Sequence, residues 1–303
     1  MLTKNFSFQN KKIFYHVYGQ GKTVVLLHGF GEDSSIWQPQ INFLQNHFRL
    51  IVPDLPGSGQ SELINDANIE TYAEIIKEIC NLEFQLAEGT LIGHSMGGYI
   101  TLAFAEKYPQ YLNGFGLFHS SAFADSDEKK LVRKKAIEFI KENGAGTFLK
   151  TSIPGLFTKE YAAKQPEKME ELIEKGNDFT AAALIQYYEA MIARPDRTAV
   201  LTNFNKPILF IIGEQDTAVP LQSSLQQCYL PAQSHIYILA SSAHIGMWEE
   251  GDKANKILFD FLSGIKKLFE LIIFDTSFSS LWRHRCVTPL YGIPFFNFNY
   301  AIG

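Results

Sequence analysis

The hexapeptide Gly93-His94-Ser95-Met96-Gly97-Gly98 constrains this chain more than any other feature. It follows the apolar run Thr90–Ile92 and leads into a helix-like stretch, Gly97–Lys107, that stops before Pro109. A serine at a sharp strand-to-helix turn is pushed out of the smooth path of the backbone, so its Oγ stands exposed. The turn brings the residues two before and two after the serine close together. Glycine at both places, Gly93 and Gly97, avoids a side-chain collision. The serine also opens a helix, where backbone N–H groups lack intrahelical partners and the dipole favours negative charge.

A strand running directly into a helix is the unit of a parallel sheet, and the rest of the chain repeats it. Val24–Leu27, Leu50–Val52, Thr90–Ile92, Gly116–Phe118, Ile208–Ile212 and Ile236–Leu239 are short, continuous apolar runs. Continuous rather than alternating runs fit strands buried on both faces. Between them, Ile69–Leu86 carries Ile75, Ile76, Ile79, Leu82 and Leu86 at helical spacing, and Leu221–Cys228 and Lys253–Leu262 complete the helices. Phe6–Phe8 and Ile13–Tyr18 flank Asn10-Lys11 and read as an antiparallel hairpin. The expected fold class is α/β, a doubly wound, mostly parallel sheet. A chain of 303 residues is long enough for one such domain carrying a helical insertion.

That insertion is expected over Ala124–Val200, 77 residues with no convincing strand, holding 13 acidic and 13 basic side chains. Placed between two strand-helix units, it reads as a helical lid over one end of the sheet, with residues 1–123 and 201–264 forming the core. Phe148, Leu156, Phe157, Tyr161, Phe179, Tyr187, Tyr188 and Met191 supply apolar surface, most of it for the lid's own packing and some for a substrate pocket. Residues 265–303 form an aromatic-rich extension without clear periodicity, whose role the pattern does not assign.

Composition excludes several classes. Apolar residues make up 46% and charged residues 19%, which is the balance of a folded globular chain. The net charge of -5 and the lack of a basic stripe argue against a nucleic-acid partner. Three scattered cysteines, Cys80, Cys228 and Cys286, make a poor disulfide framework, and no Cys/His cluster has zinc-ligand spacing. No uninterrupted apolar stretch of about 18 residues suggests a membrane span, and Met1–Asn10 lacks a signal-peptide core. The expectation is a cytoplasmic protein acting on a small molecule, with oligomeric state open.

The Gly-x-Ser-x-Gly turn in a strand-turn-helix setting resembles the α/β-hydrolase superfamily, and the resemblance covers about residues 5–264. It implies Ser95 as nucleophile. His28-Gly29-Phe30-Gly31, after the strand Val24–Leu27, is similar to the superfamily's oxyanion loop. By that resemblance the oxyanion donors are the N–H groups of Phe30 and Met96, while His28 braces the loop. Asp54-Leu55-Pro56-Gly57-Ser58-Gly59 looks like a supporting turn.

A serine hydroxyl needs a base, and the base needs a group to orient it. The order in this superfamily is Ser, acid, His. Asp216, in Gly213-Glu214-Gln215-Asp216 after the strand Ile208–Ile212, matches the acid loop, with Glu214 as its local rival. His244, in Ser242-Ala243-His244-Ile245-Gly246 after the last strand, matches the histidine loop, with Ala243 where many members have glycine. His119 ends the strand Gly116–Phe118 and is expected at the pocket rim, as a candidate substrate contact. His94 adjoins the nucleophile but points away from it.

These residues imply a serine hydrolase (carboxylesterase-like) that cleaves an ester or similar acyl bond without metal or cofactor. The same residues also serve carbon–carbon bond hydrolases, lyases and perhydrolases. A small-molecule receptor with little turnover is the alternative from another class. Serine at the turn argues against haloalkane dehalogenases and epoxide hydrolases, which resemble this chain but carry aspartate there.

Overall fold

A computed structural model describes residues 1–84 and 88–274 of the chain, with side chains through residue 264. Eight strands form one sheet: β1 (Leu2–Phe8), β2 (Lys11–Tyr18), β3 (Thr23–Leu27), β4 (Arg49–Pro53), β5 (Gly89–His94), β6 (Leu112–Phe118), β7 (Ile208–Gly213) and β8 (Ser234–Leu239). Their spatial order is β1-β2-β4-β3-β5-β6-β7-β8. β1 and β2 pair antiparallel as the expected hairpin, and β2 joins β4 antiparallel; every later pairing is parallel. The strands are those the apolar runs predict, lengthened by a few residues.

The helices are α1 (Gln38–Leu44), α2 (Ile69–Glu83), α3 (Met96–Lys107), α4 (Asp127–Asn143), α5 (Ala145–Ser152), α6 (Lys159–Lys164), α7 (Pro166–Gly176), α8 (Ala181–Ala193), α9 (Thr198–Asn203), α10 (Leu221–Gln227), α11 (Gly246–Glu249) and α12 (Gly251–Phe274). α2 starts where the Asn68 side chain accepts from the Thr71 N–H. It buries Ile75, Ile76 and Ile79, whereas Leu82 lies on its outer face, 55% exposed. α3 is buried on nearly every side, packed against β5 and α2.

Two expectations need correction. β8 does not have both faces buried: it is the sheet edge, and Ile236 and Ile238 are 41% and 37% exposed. A parallel edge strand covered on one face alternates, and the run of apolar residues conceals that. The last helix does not stop at Leu262 but continues to Phe274. Leu86, Cys286 and residues 275–303 lie outside the described residues. Cys80 and Cys228 are buried free thiols in the core, as expected.

Residues 124–200 contain no strand, and α4 to α8 all fall between β6 and β7. α4 is capped by Ser126, and α8 packs along it. The buried Tyr187 hydroxyl donates to the Pro56 carbonyl and contacts Ser58, which ties α8 to the loop after β4. Among the described residues no helix is long and apolar enough to cross a membrane.

Candidate active site

The turn between β5 and α3 is built as its glycines require. Ser95 has φ 50° and ψ -115°, a backbone state that L-residues seldom adopt. A Cβ on Gly93 would overlap the Gly97 carbonyl, and one on Gly97 would overlap the Leu27 carbonyl. The Ser95 N–H donates to Phe118 O, and Ser120 Oγ donates to Ser95 O at 2.7 Å, so the strained residue is held from both sides. Serine at a helix start ordinarily caps with its hydroxyl. Here Ser95 makes no side-chain cap, and its Oγ lies 2.9 Å from His244 Nε2.

His244 and Asp216 arrive from the loops after β8 and β7. His244 Nδ1 donates to Asp216 Oδ2 at 2.7 Å. The other oxygen, Oδ1, accepts from the Ala218 and Val219 N–H groups at 2.8 and 2.9 Å. Burial pushes the Asp216 carboxyl up, but His244 and His119 beside it outweigh burial and hold it far below the usual carboxylate range. With Asp216 ionised, the proton stays on His244 Nδ1 and Nε2 is left to accept from Ser95. Glu214, the rival acid, is exposed and outside this chain of hydrogen bonds.

His119 does not lie at the pocket rim. Its ring is 1% exposed, wedged under Gly213 and Gly246 with Nδ1 3.3 Å from Asp216 Oδ2. β6 ends at Phe118 and delivers His119 against Asp216, outside the residues that line the cavity. That contact is close but poorly aligned for a hydrogen bond. Burial, opposed by Asp216, brings its pKa down to about 4, so the ring is neutral near pH 7. His119, Asp216 and His244 also offer the one group of metal-ligand atoms found among the described residues. Asp216 Oδ2 is already shared between the two rings.

A buried ion pair that the sequence did not reveal lies beside the site. His94 Nδ1 donates to Glu32 Oε2 at 3.0 Å and His94 Nε2 donates to His244 O at 2.9 Å. Both ring nitrogens face acceptors, so the ring is an imidazolium. Burial disfavours that charge, but Glu32 outweighs burial and raises the His94 pKa. Glu32 also accepts from the Gly29 N–H at 2.7 Å, so the pair links the loop carrying Phe30 to the loop carrying His244. The one available signal was a carboxylate directly after the glycine-rich loop. His28 braces that loop as expected: its Nε2 accepts from the Leu55 N–H and its Nδ1 donates to Gly29 O.

Ser95 and His244 border a cavity of about 160 Å³. Its apolar lining includes Phe30, Leu156, Met191 and Val219, and its polar lining includes Glu32, Tyr99, Tyr188, Lys129 and Arg133. Of the aromatic and aliphatic residues counted between 124 and 200, Leu156, Tyr188 and Met191 reach the cavity. The Phe30 ring stacks on Tyr188 with centroids 4.2 Å apart. Met96, the first residue of α3, presents its N–H in a turn that has no intrahelical acceptor.

This fold has counterparts. The chain belongs to the alpha/beta hydrolase fold family, whose model matches residues 22–251. It is 28% identical over 272 residues to a 2-hydroxy-6-oxononadienedioate/2-hydroxy-6-oxononatrienedioate hydrolase of Pseudomonas putida, covering 83% of this chain and 92% of that protein. It is 24% identical over 259 residues to a pimeloyl-[acyl-carrier protein] methyl ester esterase of Yersinia enterocolitica, covering 83% and 97%. Among solved structures, a thermophilic esterase from Thermogutta terrifontis superposes with TM-score 0.82 at 27% identity, covering 88% of this chain and 99% of that one. These three carry hydrolase or esterase names, and the chain is a hydrolase-family enzyme.

Proposed function

We propose that this hydrolase cleaves a carboxylic ester, or a similar acyl bond of a small molecule, through an acyl-enzyme formed on Ser95. The observation carrying this reading is the unbroken line Ser95 Oγ, His244 Nε2, His244 Nδ1, Asp216 Oδ2, with contacts of 2.9 and 2.7 Å at a cavity wall.

His244 takes the Ser95 proton as Oγ bonds to the substrate carbonyl carbon. The carbonyl oxygen gains negative charge and is held by the Phe30 and Met96 N–H groups, where one such donor contributes about 3 kcal/mol. His244 returns the proton to the departing alcohol as the C–O bond breaks. Water then enters, gives a proton to His244 and attacks the acyl carbon; the acid leaves and Ser95 recovers its proton. Asp216 keeps the imidazole oriented and stabilises it while charged. Residues 124–200 act as a lid that closes the pocket, with residues 1–123 and 201–264 as the core.

The test is turnover of p-nitrophenyl esters of increasing acyl length, with fluorophosphonate labelling, on the wild type and Ser95→Ala. At about 30 Å³ per liquid water the cavity has room for on the order of five waters, so acetyl to butyryl esters are expected to lead octanoyl. Loss of both signals in Ser95→Ala supports the reading. Labelling without ester turnover shifts the substrate toward carbon–carbon cleavage. Neither signal in folded wild type overturns the enzyme reading in favour of a receptor.

A further inference from the structure

The cavity beside Ser95 holds more positive charge than its own carboxylates balance. α4 places Lys129 and Arg133 four residues apart, on one helix face, and both line the cavity. Arg133 Nε donates to Asp125 Oδ2 at 2.6 Å, and Arg194 Nη2 lies 3.0 Å from Asp125 Oδ1. One buried carboxylate therefore serves two guanidinium groups. Lys129 Nζ donates to the Ala218 carbonyl at 2.9 Å. Among the described residues no carboxylate lies within ion-pair distance of Lys129. The remaining acid in the lining, Glu32, is matched by His94. Lys129, Arg133, Arg194 and His94 stand against Asp125, Glu32 and the ionised Asp216 behind His244, which leaves an excess of one positive charge, carried by Lys129. The Tyr99 phenol, which also lines the cavity, feels this field: burial pushes its pKa up, yet Arg194, Lys129 and Arg133 outweigh burial and lower it.

Uncompensated charge in a partly dehydrated cavity is costly unless an ion of opposite sign arrives with the ligand. Ser95, the apolar side chains of Phe30, Leu156, Met191 and Val219, and the cations Lys129 and Arg133 all line this one cavity. We propose that the substrate is a short ester whose acyl part ends in a carboxylate, and that Lys129, with Arg133 one turn further along α4, is the specificity-determining anion site. This rests on the reading of Ser95 as nucleophile. Lys129 has two donor positions beyond its bond to Ala218, and Arg133 supplies field and a planar guanidinium edge. A phosphate would meet the same cations, but three acceptor oxygens and up to two charges fit poorly beside an apolar wall in so small a space.

The experiment compares monomethyl esters of succinate, glutarate and adipate with the corresponding dimethyl esters, following acid release by titration at constant pH. Each pair differs in charge at the far end while keeping the scissile ester. The expected wild-type kcat/KM favours the monomethyl ester by about tenfold, the scale of one charge-assisted hydrogen bond. Lys129→Gln should lower that preference about tenfold, and Lys129→Arg should retain it. A structural role for Lys129 would lower both substrates together and leave their ratio unchanged. The proposal is overturned if dimethyl esters are cleaved as well as monomethyl esters, or if Lys129→Gln leaves the ratio where it was. If no ester turns over and Ser95 is not labelled, the nucleophile reading fails separately. Calorimetric binding of monomethyl glutarate to Ser95→Ala then decides: weakening in Ser95→Ala/Lys129→Gln upholds the anion site, and no binding to Ser95→Ala removes it.

Discussion

Replacing Asp216 by asparagine exchanges one oxygen for an amide nitrogen, and the surroundings dictate where that nitrogen goes. Oδ1 accepts two backbone N–H groups, from Ala218 and Val219. Turning the NH₂ toward them would forfeit both hydrogen bonds, at about 1 kcal/mol each, and would set donors against donors. A penalty of about 2 to 3 kcal/mol limits that rotamer to a few per cent or less. The NH₂ must therefore face His244 Nδ1, where Asp216 Oδ2 now accepts at 2.7 Å. A donor there forces His244 to put its proton on Nε2, and Nε2 becomes a donor toward Ser95 Oγ instead of a base. The expected result is a loss of about 10⁴ in kcat, the scale known for a base held in the wrong tautomer. KM for p-nitrophenyl butyrate should change far less. The assay is steady-state turnover of that ester, with fluorophosphonate labelling and imidazole nitrogen shifts by NMR to report the tautomer. Glu214→Gln, an exposed change in the same loop, is the control and should stay within twofold of wild type. Asp216→Asn retaining a tenth or more of wild-type kcat would refute the reasoning, most directly if the NMR shows the Nε2–H tautomer.

Two further outcomes follow from the geometry. Ser95→Gly and Ser95→Ala both remove the nucleophile, but glycine accepts φ 50° without strain. With strain on the order of 1–3 kcal/mol, offset by glycine's greater freedom when unfolded, Ser95→Gly should be about 1 kcal/mol more stable than Ser95→Ala in urea unfolding; equal midpoints would contradict this. Burial pushes the Asp54 carboxyl up, but His16 beside it and the N–H groups of Ser34 and Gln60 outweigh burial and hold it at about 2. A depressed pKa contributes stability above the unfolded value of about 4 that disappears as pH falls toward 2. Asp54→Asn should remove about 2 kcal/mol of that pH-dependent stability, and an unchanged acid-unfolding slope would count against it.

The sheet was legible because strands buried between two helix layers leave nearly unbroken apolar runs, and β3, β5 and β7 are of that kind. Edge position is set by partners rather than by composition, so β8 looked like its inner neighbours. Ser95, Asp216 and His244 were legible because each sits directly after a strand in a short loop whose residue types restrict its shape. Glu32 escaped notice because a lone glutamate in a loop looks like solvent-facing charge until His94 is seen opposite. His119 was placed at the rim since the end of β6 points that way in sequence. Its positive φ of 49° instead turns the ring beneath Asp216, which no pattern of neighbours announces. Lys129 and Arg133 belong to a segment of 26 charged residues, and only the packing of α4 singles out these two.

The placement of the reactive groups along the chain also has a consequence for synthesis. β5, β3 and β4 come early and can register with one another once residue 94 has emerged, whereas Asp216 and His244 follow strands that pair last, β7 against β6 and β8 against β7. A nascent chain released before residue 244 would carry the serine turn without the histidine that contacts it. The Ser95–His244–Asp216 line therefore forms only when the far edge of the sheet docks. The growing polypeptide spends most of its time on the ribosome without the Ser95–His244–Asp216 contacts.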